Sequence, residues 1–308
     1  MIELVVRPGP GIARAEFVAS HPPFSIALDG YVSGAPFLHV DGTKPWRSFN
    51  HHEVVDRSST CATCEQARRA VLLGLYELFR ERGARRAMIH ANDCDQDVCL
   101  ASWILLNPDR AAEPLVRVLS QVEDLLDMSS GVFPFPHERD RMAEVRWVFD
   151  PYVRARPRVA QMGAEEMREV VRDVHLRIEQ FVVGSAGKVP LDGEFHVLTH
   201  GDGWVLAEVT RLHARERMVA SGIKAAVELT ARLPDGRFAY SVWRRSEYIV
   251  SFPVPEILAA LSEAEGRPGS WGGADTVGGS PRPGGSVLPP ERVAEVVARV
   301  VAERAAKR

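Results

Sequence analysis

Short apolar runs alternate with longer stretches of helical period through the first half of the chain, and no other feature limits the fold as much. SIALDGYV (25–32) reads as a strand that ends in polar and glycine residues. TCEQARRAVLLGLYELFRERG (63–83) reads as a helix: Ala67, Val71, Leu75, Leu78 and Phe79 recur near the 3.6-residue period, and Gly83 stands at the stop. RAMIHAN (86–92) is a further strand, and VCLASWILLNP (98–108) a helix ended by Pro108. Strands joined through helices predict an α/β fold, with a mainly parallel sheet covered by helices on both faces. In such sheets ligands collect beyond the carboxyl ends of the strands.

EVRWVFDPY (144–152) reads as another strand, and AEEMREVVRDVHLRIEQFVVG (164–184) as a long amphipathic helix with Met167, Val170, Val171, Val174, Ile178 and Phe181 along one stripe. The texture then changes. FHVLTH, GWVLAEVT, IKAAVELTARL and RFAYSVWRR read as strands, with PDG as the turn between the last two. A Gly- and Pro-rich segment (266–291) precedes a closing helix with Val293, Val296, Val297, Val300 and Val301 on one face. The expected organisation is an α/β domain over 1–160, a connecting helix over 161–187 and a smaller α+β domain over 188–308.

A chain of 308 residues with 45% hydrophobic and 26% charged residues can bury two cores without staples. Its formal charge of −3 argues against long duplex nucleic acid, although a few placed arginines would suffice for a short phosphate ligand. The N-terminal MIELVVRPGP lacks a basic segment followed by an apolar one, and no apolar run reaches membrane-spanning length, so a cytoplasmic protein is expected. Cys61, Cys64, Cys94 and Cys99 have a spacing that zinc could use, but Cys64 opens one helix and Cys99 lies inside another, as small core residues do.

Chemistry-bearing residues gather after the strands of the first domain. Asp29 follows SIAL; His51 and His52 lie in SFNHHEVVDRSST (48–60); Asp93, Asp95 and Asp97 follow AMIHAN. Carboxylates crowded at one sheet edge repel one another unless a cation compensates, and Asp oxygens mixed with imidazole suit manganese, or magnesium, with zinc second. One Asp in DCDQD would be enough to cap the helix that follows; three in alternation favour a metal. His90 is either a ligand or a core histidine satisfied by a backbone carbonyl. Asp124 and Asp127 in QVEDLLDM read as a solvated helix face, His196 and His200 as a hairpin edge, and Trp243 as a core residue or a stacking platform for a base.

Asp29, NHHE (50–53), the threonine- and cysteine-rich helix start TCATCEQA and a strand ending in Asp together resemble the DHH phosphoesterase superfamily. SVWRRSEYI followed by WGGADTVGGSPR is similar to the DHH-associated substrate domain, and the two halves stand in that family's order. The resemblance implies hydrolysis of a phosphodiester or phosphoanhydride bond in a short nucleotide or oligonucleotide, with Mn²⁺ or Mg²⁺ as cofactor. The alternative is an inactive relative that binds a nucleotide phosphate as a sensor or regulator. Partners would be the small phosphate-containing substrate and a second copy of the chain, with no membrane.

By the same resemblance, Asp29 would bridge metals, His51 would ligate and His52 would contact the scissile phosphate. Two neighbouring side chains of an extended chain point apart, which suits two roles. Asp93 or Asp95 would be the carboxylate after the later strand. Arg244 or Arg245 and the backbone around Gly272, Gly273, Gly278 and Gly279, with Ser280 and Arg282, would grip the nonreacting phosphate. Asn50 replaces the family's eponymous Asp and falls with the substrate-binding residues, or orients the histidines through its side chain. The family's first motif, a His and two Asp after the first strand, has no counterpart in IELVVRPGPGIARAEF, which contains neither residue type. HANDCDQD (90–97) resembles that motif instead, which would make His90, Asp93, Asp95 and Asp97 ligands in a permuted order.

Overall fold

The structure is a computed structural model that describes the chain except residues 57–58, 130, 132, 134–138, 192, 211–213, 283 and 308. The chain divides into two compact units, residues 1–128 with 138–190 and residues 129–137 with 191–308. No helix among the described residues is long and apolar enough to cross a membrane.

The first unit contains β1 (Ile2–Val6), α1 (Arg14–Ser20), β2 (Ser25–Leu28), β3 (Phe37–Asp41), β4 (Lys44–Phe49), α2 (Thr63–Leu72), α3 (Leu75–Leu78), β5 (Arg80–Glu81), β6 (Ala84–Arg85), β7 (Ala87–Ala91), α4 (Gln96–Leu106), α5 (Pro114–Met128), α6 (Arg139–Ala155) and α7 (Ala164–Val182). Its five-stranded sheet has the order β1-β7-β2-β4-β3, parallel except for β3, which pairs antiparallel with β4 at one edge. The connection β1–α1–β2 crosses this sheet in one direction and β4–α2–β7 in the other. Right-handed crossovers therefore put α1 and α2 on opposite faces. Beneath α1, Phe17 packs with Ala27, Tyr31, Phe37 and Trp46. Helix α4, buried from Asp97 to Leu105, packs against β1, β2, α2, α5 and α7, so its sequence is apolar all round instead of amphipathic.

Three expected elements differ. The 144–152 segment is helical within α6: its β-branched and aromatic residues suggest a strand, but Met142, Val145, Val148 and Phe149 bury one helical stripe. Pro151 has no N–H to offer the Trp147 carbonyl, and Arg177 Nη1 takes that oxygen at 2.5 Å, which lets a proline sit inside the helix. The helix expected over 63–83 stops early, because Gly74 turns left-handed at φ 97°. Gly83 instead shapes a β5–β6 hairpin, where Arg82 and Gly83 both have positive φ, as a type I′ turn requires. The third difference is α7: its apolar stripe packs on α4, α5, α6 and β1, so it is a wall of the first unit instead of a connector.

The second unit contains β8 (Phe195–Gly201), β9 (Trp204–Val209), α8 (Ala214–Ala220), β10 (Ala225–Arg232), β11 (Phe238–Arg244), α9 (Val254–Ala264), β12 (Gly272–Gly273), β13 (Val277–Gly279) and α10 (Pro290–Ala306). Among the described residues the sheet order is β12-β13-β11-β10-β9-β8, with only β9 and β10 parallel and α8 as their crossover. Met218 and Val219 of α8 pack on one face with Val205, Ala207, Ala226 and Trp243, while α9 and α10 cover the other with Leu206, Val227 and Val242. This is the smaller α+β layer expected from the sequence. Trp243 is buried and donates to Glu228, so it is core and no platform for a base. His196 and His200 lie on the edge strand β8.

Candidate metal centre

The ends of three adjacent parallel strands supply most of the polar residues of the first unit's candidate site. Asp29 follows β2 directly, with a left-handed φ of 42° that turns its side chain out of the strand's alternation, and its N–H bonds to Phe49 O at 2.9 Å. Asn50, His51 and His52 follow β4, and the DCDQD run links β7 to α4. Asp127 arrives from the last turn of α5.

His51, only 1% exposed, is the centre of the arrangement. Its Nε2 has Asp127 Oδ2 at 2.9 Å, Asp29 Oδ1 at 3.3 Å and Asp97 Oδ2 at 3.5 Å. Yet neither ring nitrogen makes a directed hydrogen bond with a described group. Carboxylate oxygens that gather around one buried imidazole nitrogen, off the line of its N–H, are arranged as metal ligands are. His52 Nε2 reaches Asp29 Oδ1 at 2.8 Å, and its side chain is 40% exposed. The adjacent histidines thus divide the work: one ring is sealed in and the other stands at the mouth. Among the described residues, two overlapping groups have donor atoms close enough to hold a metal ion, Asp29 with His51 and His52, and His51 with Asp97 and Asp127.

Protons balance this negative charge when no cation does. Burial works against a charged His51, but Asp127 and Asp29 outweigh it and push the ring up to about 10. Burial likewise opposes ionisation of Asp29, and His51 and His52 overcome it to hold that carboxyl low. Asp97 rises to about 7 through burial and the neighbouring carboxylates Asp29 and Asp127. Divergent shifts among touching groups mark a charge-frustrated pocket, which a divalent cation would relieve. The donor set fits such an ion.

The other sequence candidates fall in different places. Asp95 is the N-cap of α4, its Oδ1 accepting from Val98 N at 2.8 Å, while Asp93 accepts from Cys94 N at 2.6 Å; the capping reading therefore holds for one member of the run and the metal group takes Asp97. Asp93 and Asp95 still feel Asp29, and burial with that charge raises both. Asn50 is engaged as a support of its own loop: its Nδ2 donates to Val32 O and Gly34 O, and its Oδ1 accepts from His52 N at 3.1 Å. Gln66 Nε2 pins the same loop at both ends through Asn50 O and Cys61 O. Cys64, Cys94 and Cys99 are buried free thiols, and no cysteine joins either metal-capable group among the described residues.

His90 belongs to the core. It lies on the α1 face of the sheet against Phe17, Tyr31 and His21, with Nε2 3.3 Å from Ser25 Oγ. Burial, helped by the charges of His21 and Arg7, lowers it from 6.5 to about 3. The ring therefore stays neutral in the fold and takes up a proton when the chain unfolds. Stability is complete above about pH 6.5 and is lost as pH falls toward 3, at up to about 1.4 kcal/mol per pH unit. His90→Leu is expected to flatten the fall in melting temperature across that window; parallel wild-type and variant curves would contradict this account.

In the second unit, the residues expected to grip phosphate are largely occupied. Arg244 is buried and donates to Asp275 Oδ2 at 2.6 Å, Asp275 O and Ile249 O. Gly278 pairs with Gly273 on one side and Val242 on the other, and Gly279 likewise with Gly272 and Ser241. These glycines make close strand contacts: a Cβ on Gly278 would meet Leu258 Cδ1 at 2.4 Å. Ser280 accepts from Tyr240 N, whereas Arg245 is half-buried and Arg282 exposed.

Asp127 is the residue missed in the sequence. Its helix looked solvated, yet Asp124 Oδ1 accepts from Ala62 N at 2.6 Å and Glu123 is buried, so this face of α5 closes over the start of α2. No family model matches the chain, and no curated protein or solved structure matches it.

Proposed function

We propose that this chain is a divalent-cation-dependent phosphoesterase of the DHH type, cleaving a phosphodiester or phosphoanhydride bond in a short nucleotide or oligonucleotide, with manganese favoured over magnesium. One observation carries the reading: the gathering of Asp29, Asp97 and Asp127 around His51 Nε2, with His52 beside them, at the carboxyl ends of a parallel sheet. Imidazole in the donor set favours manganese over magnesium. When bound, the cation supplies Lewis acidity toward a phosphoryl oxygen and acidity to water. The chain's own part is positional. Asp29 fixes the His52 ring, whose exposed edge can donate to a phosphoryl or leaving-group oxygen. Asn50 holds the main chain of His52, so that ring starts from a set position.

A binding protein that recognises a nucleotide phosphate without cleaving it is the second reading. It is favoured by the occupied state of Arg244 and the glycine ladder, which leaves Arg245 and Arg282 as the phosphate-facing candidates of the second unit. Purified protein incubated with Mn²⁺, Mg²⁺ or EDTA and a panel of an aryl phosphodiester, short RNA and DNA, cyclic dinucleotides and pyrophosphate separates the two. Manganese-dependent cleavage of a panel member supports the esterase. Thermal stabilisation by a nucleotide with no turnover supports the binder.

A further inference from the structure

Two buried carboxylates from different segments meet at the metal centre, and their repulsion must be countered whether or not a cation is bound. Asp29 follows β2, and Asp97 lies in the first turn of α4. Both are bonded to one residue, Thr63, the first residue of α2, itself fully buried. Its Oγ1 donates to Asp29 Oδ1 at 3.1 Å, and its N–H donates to Asp97 Oδ2 at 2.7 Å. Cys64 N–H takes the other Asp97 oxygen at 2.7 Å. The α2 N-terminus thus spends its unpaired donors on these carboxylates, where its dipole also favours negative charge.

We propose that Thr63 is a positioning residue of the metal centre: its hydroxyl and amide together hold Asp29 and Asp97, one carboxylate from each of the two metal-capable groups that share His51, at a fixed spacing. The inference rests on the metal-centre reading and adds to it a residue that acts through the carboxylates Asp29 and Asp97 and not on the metal or the substrate. A hydroxyl carries a single donor, so the bond to Asp29 is lost outright in Thr63→Val, which keeps the side-chain shape and the amide bond to Asp97. Thr63→Ser restores the hydroxyl. Partners that orient metal ligands are worth about 10–100-fold in affinity. Magnesium requires near-ideal octahedral geometry, so it should suffer more than manganese from a displaced Asp29.

The test is a calorimetric titration of Mn²⁺ and of Mg²⁺ into metal-free wild type, Thr63→Val and Thr63→Ser, with melting curves of each protein without metal. Expected are binding by wild type, about 10–100-fold weaker binding by Thr63→Val with the larger loss for Mg²⁺, and recovery in Thr63→Ser. Thr63→Ala takes the place of the valine variant if the latter does not fold. A variant that lacks the hydroxyl yet binds both ions like wild type, or that loses only metal-free stability, overturns the proposal and leaves the metal centre standing. Wild type that binds neither ion overturns both.

Discussion

His51→Ala is expected to abolish stabilisation by manganese and to lower manganese-dependent hydrolysis by about 10²–10³-fold, the scale of losing a principal charge-stabilising group. The imidazole Nε2 lies 2.9, 3.3 and 3.5 Å from the three carboxylates, so alanine removes the group around which they gather. At a metal concentration about a hundredfold above its dissociation constant, binding stabilises the native state by about 2.7 kcal/mol. For a unit of this size that corresponds to a rise in melting temperature of roughly 5–10 °C, which EDTA should reverse in wild type and leave unchanged in the variant. His196→Ala, on the β8 edge strand, is the matched control and should keep the full response. A His51→Ala protein that still gains this stability would remove His51 from the metal group and, with it, the basis of the functional reading.

The parallel sheet was legible because β2 and β7 are short apolar segments separated by helical stretches, and local period decides such elements. Reading the 144–152 segment as a strand failed for the same reason that made the others succeed: Val145, Trp147, Val148 and Phe149 have strand-like composition, and only the α7 helix lying against them explains why they are helical. At the site, Asp29, His51 and Asp97 could be picked out because strand ends in such a sheet are where ligands collect. Asp127 could not, since nothing local in α5 records that its last turn faces His51. His90 failed in the opposite sense: its position in the sequence suits a ligand, but strand alternation places it on the α1 face, with Phe17 and Tyr31. The glycine-rich segment reads as a phosphate loop in one dimension and as a tight hairpin in three, because close strand approach and anion binding both require glycine.

Glu228→Ala is expected to destabilise the second unit by about 3–5 kcal/mol, the cost of leaving one member of a buried ion pair behind. Glu228 is 4% exposed, in the middle of β10. Its Oε1 accepts from Arg215 Nε at 2.9 Å and from Trp243 Nε1 at 2.8 Å, and its Oε2 from Arg215 Nη2 at 2.5 Å. One carboxylate therefore joins α8, β10 and β11 on the face of the sheet that α8 covers. Alanine takes the acceptor from a largely buried guanidinium and from a fully buried indole N–H together. Glu228→Gln keeps the size and one carbonyl oxygen, so its loss should be smaller, about 1–3 kcal/mol. Removing both charges with Arg215→Met and Glu228→Leu should cost less than Glu228→Ala alone, since apolar replacements leave no orphaned charge. Urea unfolding monitored by tryptophan fluorescence reads all three, Trp243 being in the cluster itself. A Glu228→Ala protein within about 0.5 kcal/mol of wild type, the range of a neutral surface change, would show that the pair contributes nothing net. The response to manganese should persist in every one of these variants, because each residue that gathers around His51 belongs to the first unit.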